Sequence, residues 1–195
     1  MKTSRIAWVG VLILLAGVIV LAVNLADTEP RASTSPLINQ PAPGFDLPRL
    51  DGAGQVNLAD YRGKIVMVNF FASWCIECRL EHPDLTAAAN TLVDEVQFIG
   101  ITYLDTPADA NAFLDELGRA TTAEYLFDEP GFAAIEYGLF GVPETFFLDE
   151  TGIVVAKITG PANLGLILGI VEDIKAGNPI GVTKTGTPQG SPNDS

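Results

Sequence analysis

The feature that most constrains the fold is a pair of cysteines directly after a strongly apolar, β-prone run. The run spans Lys64–Phe71, and Trp74-Cys-Ile-Glu-Cys78 follows it. A continuous apolar run of this length predicts a strand that is buried on both faces. A helix is expected to begin near Trp74 or Cys75 and to continue toward Leu92. A Cys-x-x-Cys pair at such a strand-to-helix junction predicts a redox-active dithiol.

The flanking segments alternate between strand and helix patterns. Further strands are predicted at Val96–Tyr103, Tyr125–Phe127, Glu144–Leu148 and Ile153–Ile158. Further helices are predicted at Thr106–Gly118, Pro130–Tyr137 and Ala162–Lys175. A β-α-β half followed by a β-hairpin and a terminal helix predicts an α/β protein. Its central sheet should be mixed, with helices on both faces.

An apolar segment precedes this folded unit. Ile6–Val23 contains 18 consecutive residues without a charge, roughly 27 Å of helix, which is enough to cross a bilayer. Lys2 and Arg5 precede the segment, so the positive-inside rule places the rest of the chain outside the cytoplasm. A cleaved signal peptide is the alternative, and it delivers the chain to the same side.

The composition of the remaining segments predicts the domain boundaries. Residues 1–23 are expected to form a cytoplasmic stub and a transmembrane anchor. Residues 24–44 are rich in proline and are expected to form an extended linker. Residues 45–176 form the predicted domain, and residues 177–195 are expected to be disordered.

Charge and residue counts exclude several classes of function. The net charge of −13 disfavours binding to nucleic acid, because phosphates would be repelled. Two cysteines and one histidine exclude a four-cysteine zinc site and any multi-histidine metal centre. No resident metal or cofactor is expected.

Helix geometry predicts different roles for the two sulfurs. Cys75 lies at the first turn, where free N–H groups and the helix dipole stabilise a thiolate. Cys78 lies one turn further on the same face and can resolve a mixed disulfide at Cys75. Glu81 follows three residues later. It could take the Cys78 proton if it is buried, but a solvated helix glutamate is an equal alternative.

Gly141–Phe146 is the second motif that carries information on function. Pro143 lies at the start of a predicted strand, where it cannot donate to the ladder. A cis Val142–Pro143 bond there would face a sulfur without crowding it. The backbone of Val142 would then be free to pair with an extended peptide. Periodicity alone leaves the isomer open.

Several stretches together resemble the thioredoxin-fold, membrane-anchored thiol:disulfide interchange proteins of bacterial cytochrome c maturation, the DsbE/CcmG, ResA and TlpA group. The matching stretches are Pro41–Pro48, Val56–Lys64, Val68–Cys75, Cys78–His82 and Tyr137–Asp149. The resemblance implies that Cys75 is the attacking thiol, Cys78 the resolving thiol, Pro143 a cis-proline and Glu81 the acid. Asn69 occupies the position where general thioredoxins keep a buried aspartate.

The resemblance also implies partners and a location. Such proteins reduce the disulfide of a haem-binding site in apocytochrome c, with electrons from a membrane thiol transporter. Trp74, Val142 and Pro143 are then expected to contact the substrate. The chain should be a single-pass protein of the bacterial cytoplasmic membrane, with its N-terminus in the cytoplasm. The group commonly has a proline between its cysteines, where this chain has Ile76 and Glu77. The Glu77 carboxylate opposes a thiolate at Cys75, which favours a more reducing couple.

Other functions remain open from the residues alone. A peroxiredoxin-like peroxidase is disfavoured by Ser73 and Trp74, because peroxidases of this fold flank their cysteine differently. A Cu(I)-delivery module would use Cys75, Cys78 and His82 as ligands. Half of a shared zinc site and a catalytically silent interaction domain complete the alternatives.

Overall fold

The computed structural model describes residues 35–178 and the backbone of residues 183–185. Its strands, in chain order, are β1 (Asp46–Pro48), β2 (Gln55–Asn57), β3 (Ile65–Phe71), β4 (Val96–Thr102), β5 (Glu124–Leu126), β6 (Glu144–Leu148), β7 (Val154–Thr159) and β8 (Thr183–Thr185). Its helices are α1 (Ile76–Thr91), α2 (Pro107–Leu117), α3 (Phe132–Glu136) and α4 (Leu164–Lys175). A short 3-10 helix lies at Leu58–Tyr61.

Strand β3 lies inside a six-stranded sheet of order β5-β4-β3-β6-β7-β8. It is parallel to β4 and antiparallel to β6. Every residue of β3 is buried, as its continuous apolar run predicts for a strand covered on both faces. The predicted mixed sheet is therefore confirmed, and the end of its central strand leads directly into α1.

Helices cover both faces of the sheet, as predicted. On one face, α1, α2 and α4 pack against alternate strand residues such as Met67 and Phe147. On the other face, α3 and the N-terminal part of the domain pack around Phe70 and Phe146. The period-2 alternation of strand side chains separates these two cores.

The edge strand β5 is itself paired by the last residue of β1 and the residues that follow it. The Leu50 N–H donates to the Tyr125 carbonyl at 2.8 Å, and the Phe127 N–H donates to the Pro48 carbonyl at 2.9 Å. Strands β1 and β2 form an antiparallel hairpin. The sequence analysis did not predict this hairpin, because three-residue strands are too short to show a periodicity.

The folded unit begins before the predicted boundary at residue 45. The Asn39 N–H donates to the Val154 carbonyl at 2.8 Å, and the Val154 N–H donates to the Gln40 carbonyl at 2.9 Å. Ile38 is 8% exposed and belongs to the core on the α3 face. Residues 35–44 are thus packed rather than extended as a linker, because their amides find partners beside β7.

The chain beyond α4 also differs from the prediction where it is described. Thr183–Thr185 pairs in parallel with β7, which corrects the expected disorder for these three residues. Threonine is β-branched and suits a strand, but a run of three gives little signal. The predicted anchor at Ile6–Val23 lies outside the described residues. None of the helices within residues 35–178 and 183–185 has the length and hydropathy of a membrane span.

We expect Gly100→Ala to lower the free energy of unfolding by about 1–3 kcal/mol, as overpacking does in a filled core. A Cβ at Gly100 would lie 2.9 Å from Cδ1 of Tyr125 and 3.3 Å from Cε1 of Phe71. The Tyr125 ring cannot easily retreat, because its hydroxyl accepts a hydrogen bond from the Ala120 N–H at 3.2 Å. Urea unfolding of the oxidised protein measures the change.

Gly169→Ala is the matched control. Gly169 is exposed in α4 and has open space around its Cβ position, so alanine should stabilise the protein by about 0.5–1 kcal/mol through helix propensity. If Gly100→Ala left the stability unchanged or raised it as Gly169→Ala should, the packing argument for Gly100 would be wrong.

Candidate active site

The first turn of α1 is built around the sulfur of Cys75. Cys75 is the N-cap residue, with an extended backbone (φ −87°, ψ 115°). Its Sγ accepts a hydrogen bond from the Cys78 N–H at 3.0 Å. The sulfur therefore takes the place of the capping oxygen of a Ser or Asp, among N–H groups that have no intrahelical partner. When Cys75 is reduced, this position stabilises its thiolate.

Cys75 and Cys78 form a disulfide, with their Cα atoms 5.3 Å apart. Cys75 is 6% exposed and Cys78 is 1% exposed. An incoming thiol can therefore approach Cys75 more readily than Cys78. The unequal burial agrees with the different roles that the sequence predicts for the two sulfurs.

The loop that contains Val142 and Pro143 lies against Cys75. The Val142–Pro143 peptide bond is cis, as the resemblance implies. The Val142 carbonyl oxygen lies 3.6 Å from the Cys75 Sγ. Pro143 is buried immediately before β6, so the loop presents its backbone rather than a bulky side chain to the sulfur. The structure thus brings Cys75, Val142 and Pro143 together.

Trp74 lies at the surface beside the disulfide and is 57% exposed. Its Nε1–H donates to the Leu104 carbonyl at 3.1 Å. The adjacent Asp105 carboxylate accepts hydrogen bonds from the Ser73 N–H at 2.6 Å and from the Ser73 hydroxyl at 2.9 Å. The loop after β4 therefore fixes the two residues that precede Cys75.

The sequence analysis missed Asp105. A signal for it existed, because Asp105 follows β4, which is parallel to β3. The carboxyl ends of parallel strands meet at one edge of a sheet, where functional side chains collect. A polar residue shortly after β4 was therefore a candidate partner for the residues after β3.

Glu81 is buried beneath α1, which decides between the two alternatives that the sequence left open. It is 2% exposed. Oε1 accepts a hydrogen bond from the Asn69 Nδ2 at 2.9 Å, and Oε2 accepts one from the Ala162 N–H at 2.7 Å. Burial raises the pKa of Glu81 to about 8, and these two hydrogen bonds limit the rise. The group can thus exchange a proton near neutral pH.

The surroundings of Glu81 include residues that the sequence did not connect with it. Thr145 lies opposite Asn69 in the β3–β6 register, and its Oγ1 accepts from the Asn69 Nδ2 at 3.0 Å. Only knowledge of the β3–β6 register could have identified Thr145 as a neighbour. Ala162 contributes a backbone N–H, for which a side-chain motif gives no signal.

His82 does not join the two cysteines. Its Nε2 lies 2.7 Å from the Gly118 carbonyl oxygen, and its ring packs edge-on against Phe113. Burial lowers the pKa of His82, against the hydrogen bond to Gly118, which raises it. Within the described part of the chain, no three His, Cys, Asp or Glu side chains form a group that could hold a metal ion. The Cu(I) alternative uses His82 as a ligand together with the cysteines, whereas its Nε2 contacts the Gly118 carbonyl.

A buried ion pair follows the cis-proline. The Lys157 Nζ lies 2.8 Å from Glu144 Oε2, and both side chains are almost fully buried. Lys157 also lies over the Phe146 ring, 4.8 Å from its centroid. Burial raises the pKa of Glu144, and the bond to Lys157 acts against that rise. The pair joins β6 to β7 directly after the loop that contacts Cys75.

Several large apolar side chains on the segments that form the site are exposed. They are Trp74, Ile76, Leu80, Leu104 and Phe140. Exposed apolar side chains near a reactive centre are typical of surfaces that contact other proteins. The arrangement fits a macromolecular disulfide better than a small substrate held in an enclosed cavity.

Comparisons with known proteins agree with this geometry. The family model described as the AhpC/TSA family matches residues 38–157. The thiol:disulfide interchange protein HelX of Rhodobacter capsulatus is 36% identical over 155 residues, which cover 78% of this chain and 85% of HelX.

Two solved structures from Chlorobium tepidum are also similar. A thiol:disulfide interchange protein DsbE has a TM-score of 0.63 and 28% identity, with 71% of this chain and 96% of that chain covered. A thiol:disulfide interchange protein of the thioredoxin family has a TM-score of 0.60 and 30% identity, with 68% and 93% covered. These names favour dithiol exchange over the peroxidase alternative.

The matches extend beyond the cysteine motif, since the family model runs from Ile38 to Lys157 and so includes α1 and the cis-proline loop. The fold is thioredoxin-like, and Cys75–Cys78 is the pair that such an enzyme oxidises and reduces. The chain belongs to the AhpC/TSA family and is a protein-disulfide oxidoreductase similar to the thiol:disulfide interchange proteins DsbE and HelX.

Proposed function

We propose that this oxidoreductase reduces the disulfide of a haem-binding site in apocytochrome c, outside the cytoplasm, while anchored to the membrane. The observation that best supports the exchange chemistry is the position of Cys75: it lies at the start of α1, and its Sγ contacts the Val142 carbonyl. The resemblance of the chain to the cytochrome c maturation group supports the client. The acidic net charge of −13 favours basic clients over acidic ones.

The Cys75 thiolate attacks one sulfur of the client disulfide. The client S–S bond breaks, its second sulfur leaves as a thiolate that takes a proton from water, and a mixed disulfide joins client and Cys75. The Val142 backbone can pair with the extended client segment during this step. The helix N-terminus and the Cys78 N–H make Cys75 the better of the two sulfurs to carry negative charge.

Cys78 then resolves the mixed disulfide. Its thiol proton passes to the Glu81 carboxylate, and the Cys78 thiolate attacks the sulfur of Cys75. The mixed disulfide breaks, and the departing client sulfur takes up the proton. The client has gained two electrons and two protons, and Cys75–Cys78 is oxidised, which is the state described above.

An external dithiol must restore the reduced pair, since the chain has two cysteines. A membrane thiol transporter is the proposed source. Ile6–Val23 is the proposed transmembrane anchor, with Lys2 and Arg5 on the cytoplasmic side. The domain would then meet both its donor and its client at the same membrane surface.

Cys78→Ala should leave clients covalently attached to Cys75, because the resolving thiol is absent. Non-reducing electrophoresis and mass spectrometry of the adducts identify the client, and Cys75→Ser is the control that should trap nothing. Adducts that never contain an apocytochrome c would overturn the proposed client. Adducts formed equally well by Cys75→Ser would overturn the order of attack.

Glu81→Gln should slow resolution of the mixed disulfide by about 10²-fold, at the lower end of what a positioned acid–base group contributes. The wild-type rate should rise with pH through about 8, where Glu81 becomes a carboxylate, and the variant should lose that rise. Stopped-flow measurement of the second step, across pH, tests this.

Glu77→Gln serves as the matched control for that experiment. Glu77 is an exposed carboxylate on the same helix and acts on Glu81 only through space, so its replacement should slow resolution far less than the replacement of Glu81 does. If the two variants were equally slow, the assignment of the acid to Glu81 would fail.

The location is tested by fractionation. The full chain should sediment with membranes and resist carbonate extraction, whereas a chain without residues 1–23 should be soluble, because the apolar segment is gone. A membrane-impermeant maleimide should label the reduced cysteine pair in intact spheroplasts but not a cytoplasmic reference protein. Labelling that requires cell lysis would contradict the proposed orientation.

A further inference from the structure

Asn69 is an amide in the middle of an otherwise apolar strand face. It lies in β3 and is 1% exposed, on the same face as Met67 and Phe71, which belong to the core beneath α1. A polar side chain in such a place is costly unless it is hydrogen-bonded. The choice of asparagine is therefore tied to the groups that it contacts.

The Asn69 amide nitrogen donates to two acceptors. Nδ2 lies 2.9 Å from Glu81 Oε1 and 3.0 Å from Thr145 Oγ1. Because an amide NH₂ group has two protons, both donors are used. On the other side, Asn69 lies beside Gly100 in the β3–β4 register, so no side chain from β4 competes for the amide.

The groups around Glu81 show why a donor is needed at this position. On its own helix, Glu77 and Asp84 are acidic and disfavour a further negative charge on Glu81. The facing strands contribute the uncharged side chains of Asn69 and Thr145. Within the described residues, the carboxylate is stabilised by two hydrogen bonds, one from Asn69 and one from the Ala162 N–H. Cys78 lies one turn earlier on the same helix.

We propose that Asn69 is a positioning residue for the thiol exchange: its amide orients the Glu81 carboxyl group and holds it ready to accept the proton of Cys78. An ionised aspartate at this position would donate no hydrogen bond and would add a like charge. A leucine would fill the space without donating. This inference rests on the proposed acid–base role of Glu81, and it assigns the orientation of that group to a residue that undergoes no proton transfer itself.

The proton balance is that of the resolving step. The Cys78 thiol gives its proton to Glu81, the Cys78 thiolate forms a bond with the sulfur of Cys75, and the bond between Cys75 and the client breaks. The client sulfur leaves with the electron pair of that bond and takes up the proton. Asn69 donates its hydrogen bond to Glu81 throughout and is neither oxidised nor reduced. Its contribution is to favour the ionised form of Glu81 and to hold that carboxylate in one position.

The test measures the titration midpoint of Glu81 by ¹³C NMR of its side-chain carboxyl group in the oxidised protein, where no thiol titrates. Asn69→Leu and Asn69→Asp should both raise the midpoint, by about one pH unit or a tenfold change in proton affinity. The first variant removes the donor, and the second also adds a carboxyl group that titrates together with Glu81. An unchanged midpoint in Asn69→Leu would overturn the proposal.

Asn90→Leu is the matched control. Asn90 lies on α1, as Glu81 does, and its Oδ1 accepts a hydrogen bond from the Thr121 N–H at 2.9 Å. Its loss removes an asparagine contact without touching Glu81, so the midpoint should stay in place. If the control moved the midpoint as far as Asn69→Leu did, the effect would be one of general stability and the proposal would fail.

A measurement on the unaltered sequence decides the matter if the Asn69 variants do not fold. The side-chain amide ¹H and ¹⁵N resonances of Asn69 should shift with the midpoint of Glu81, and the assignment follows from the loss of that titration in Glu81→Gln. If the Asn69 amide resonances did not shift across this titration, the result would contradict the proposed contact. A normal resolution rate in Glu81→Gln would instead refute the acid role alone, because the midpoint shift is measured without catalysis.

Discussion

The hydrogen bond from the Cys78 N–H to the Cys75 sulfur joins the fold to its chemistry. The first turn of a helix has N–H groups that need acceptors, and most proteins supply an oxygen from Ser, Thr, Asp or Asn. Here the acceptor is the atom that reacts. Whatever fixes the end of β3 and the start of α1 therefore also fixes the place and the charge preference of the sulfur.

Burial imposes the second constraint. The helix face that packs on the sheet is apolar, yet it includes Glu81, and removal of a carboxylate from water raises its pKa toward neutrality. Two N–H donors prevent the group from becoming a permanently neutral acid. The same packing that stabilises α1 against β3 thus tunes a proton acceptor one turn beyond Cys78.

Much of this arrangement could be predicted from the sequence. The central strand, the helix beginning near Cys75, the helix that follows β4 and the hairpin of β6 and β7 all follow from local signals, and the structure confirms them. The cis bond before Pro143 required a family resemblance, because periodicity contains no information on isomers. The contacts of Glu81 with Thr145 and Ala162 depend on strand register and on a backbone amide. These are properties of the assembled chain.

The pairing of β5 with the segment after β1 has a consequence for how this protein coexists with unfolded chains. An enzyme that handles extended polypeptides meets exposed strands at every turnover, and an open sheet edge would recruit them into aggregates. Here the outer backbone of β5 is occupied by Pro48 and Leu50. A client that pairs instead with the backbone of Val142 does so beside the sulfur, where association leads to reaction and release rather than to growth of a fibre.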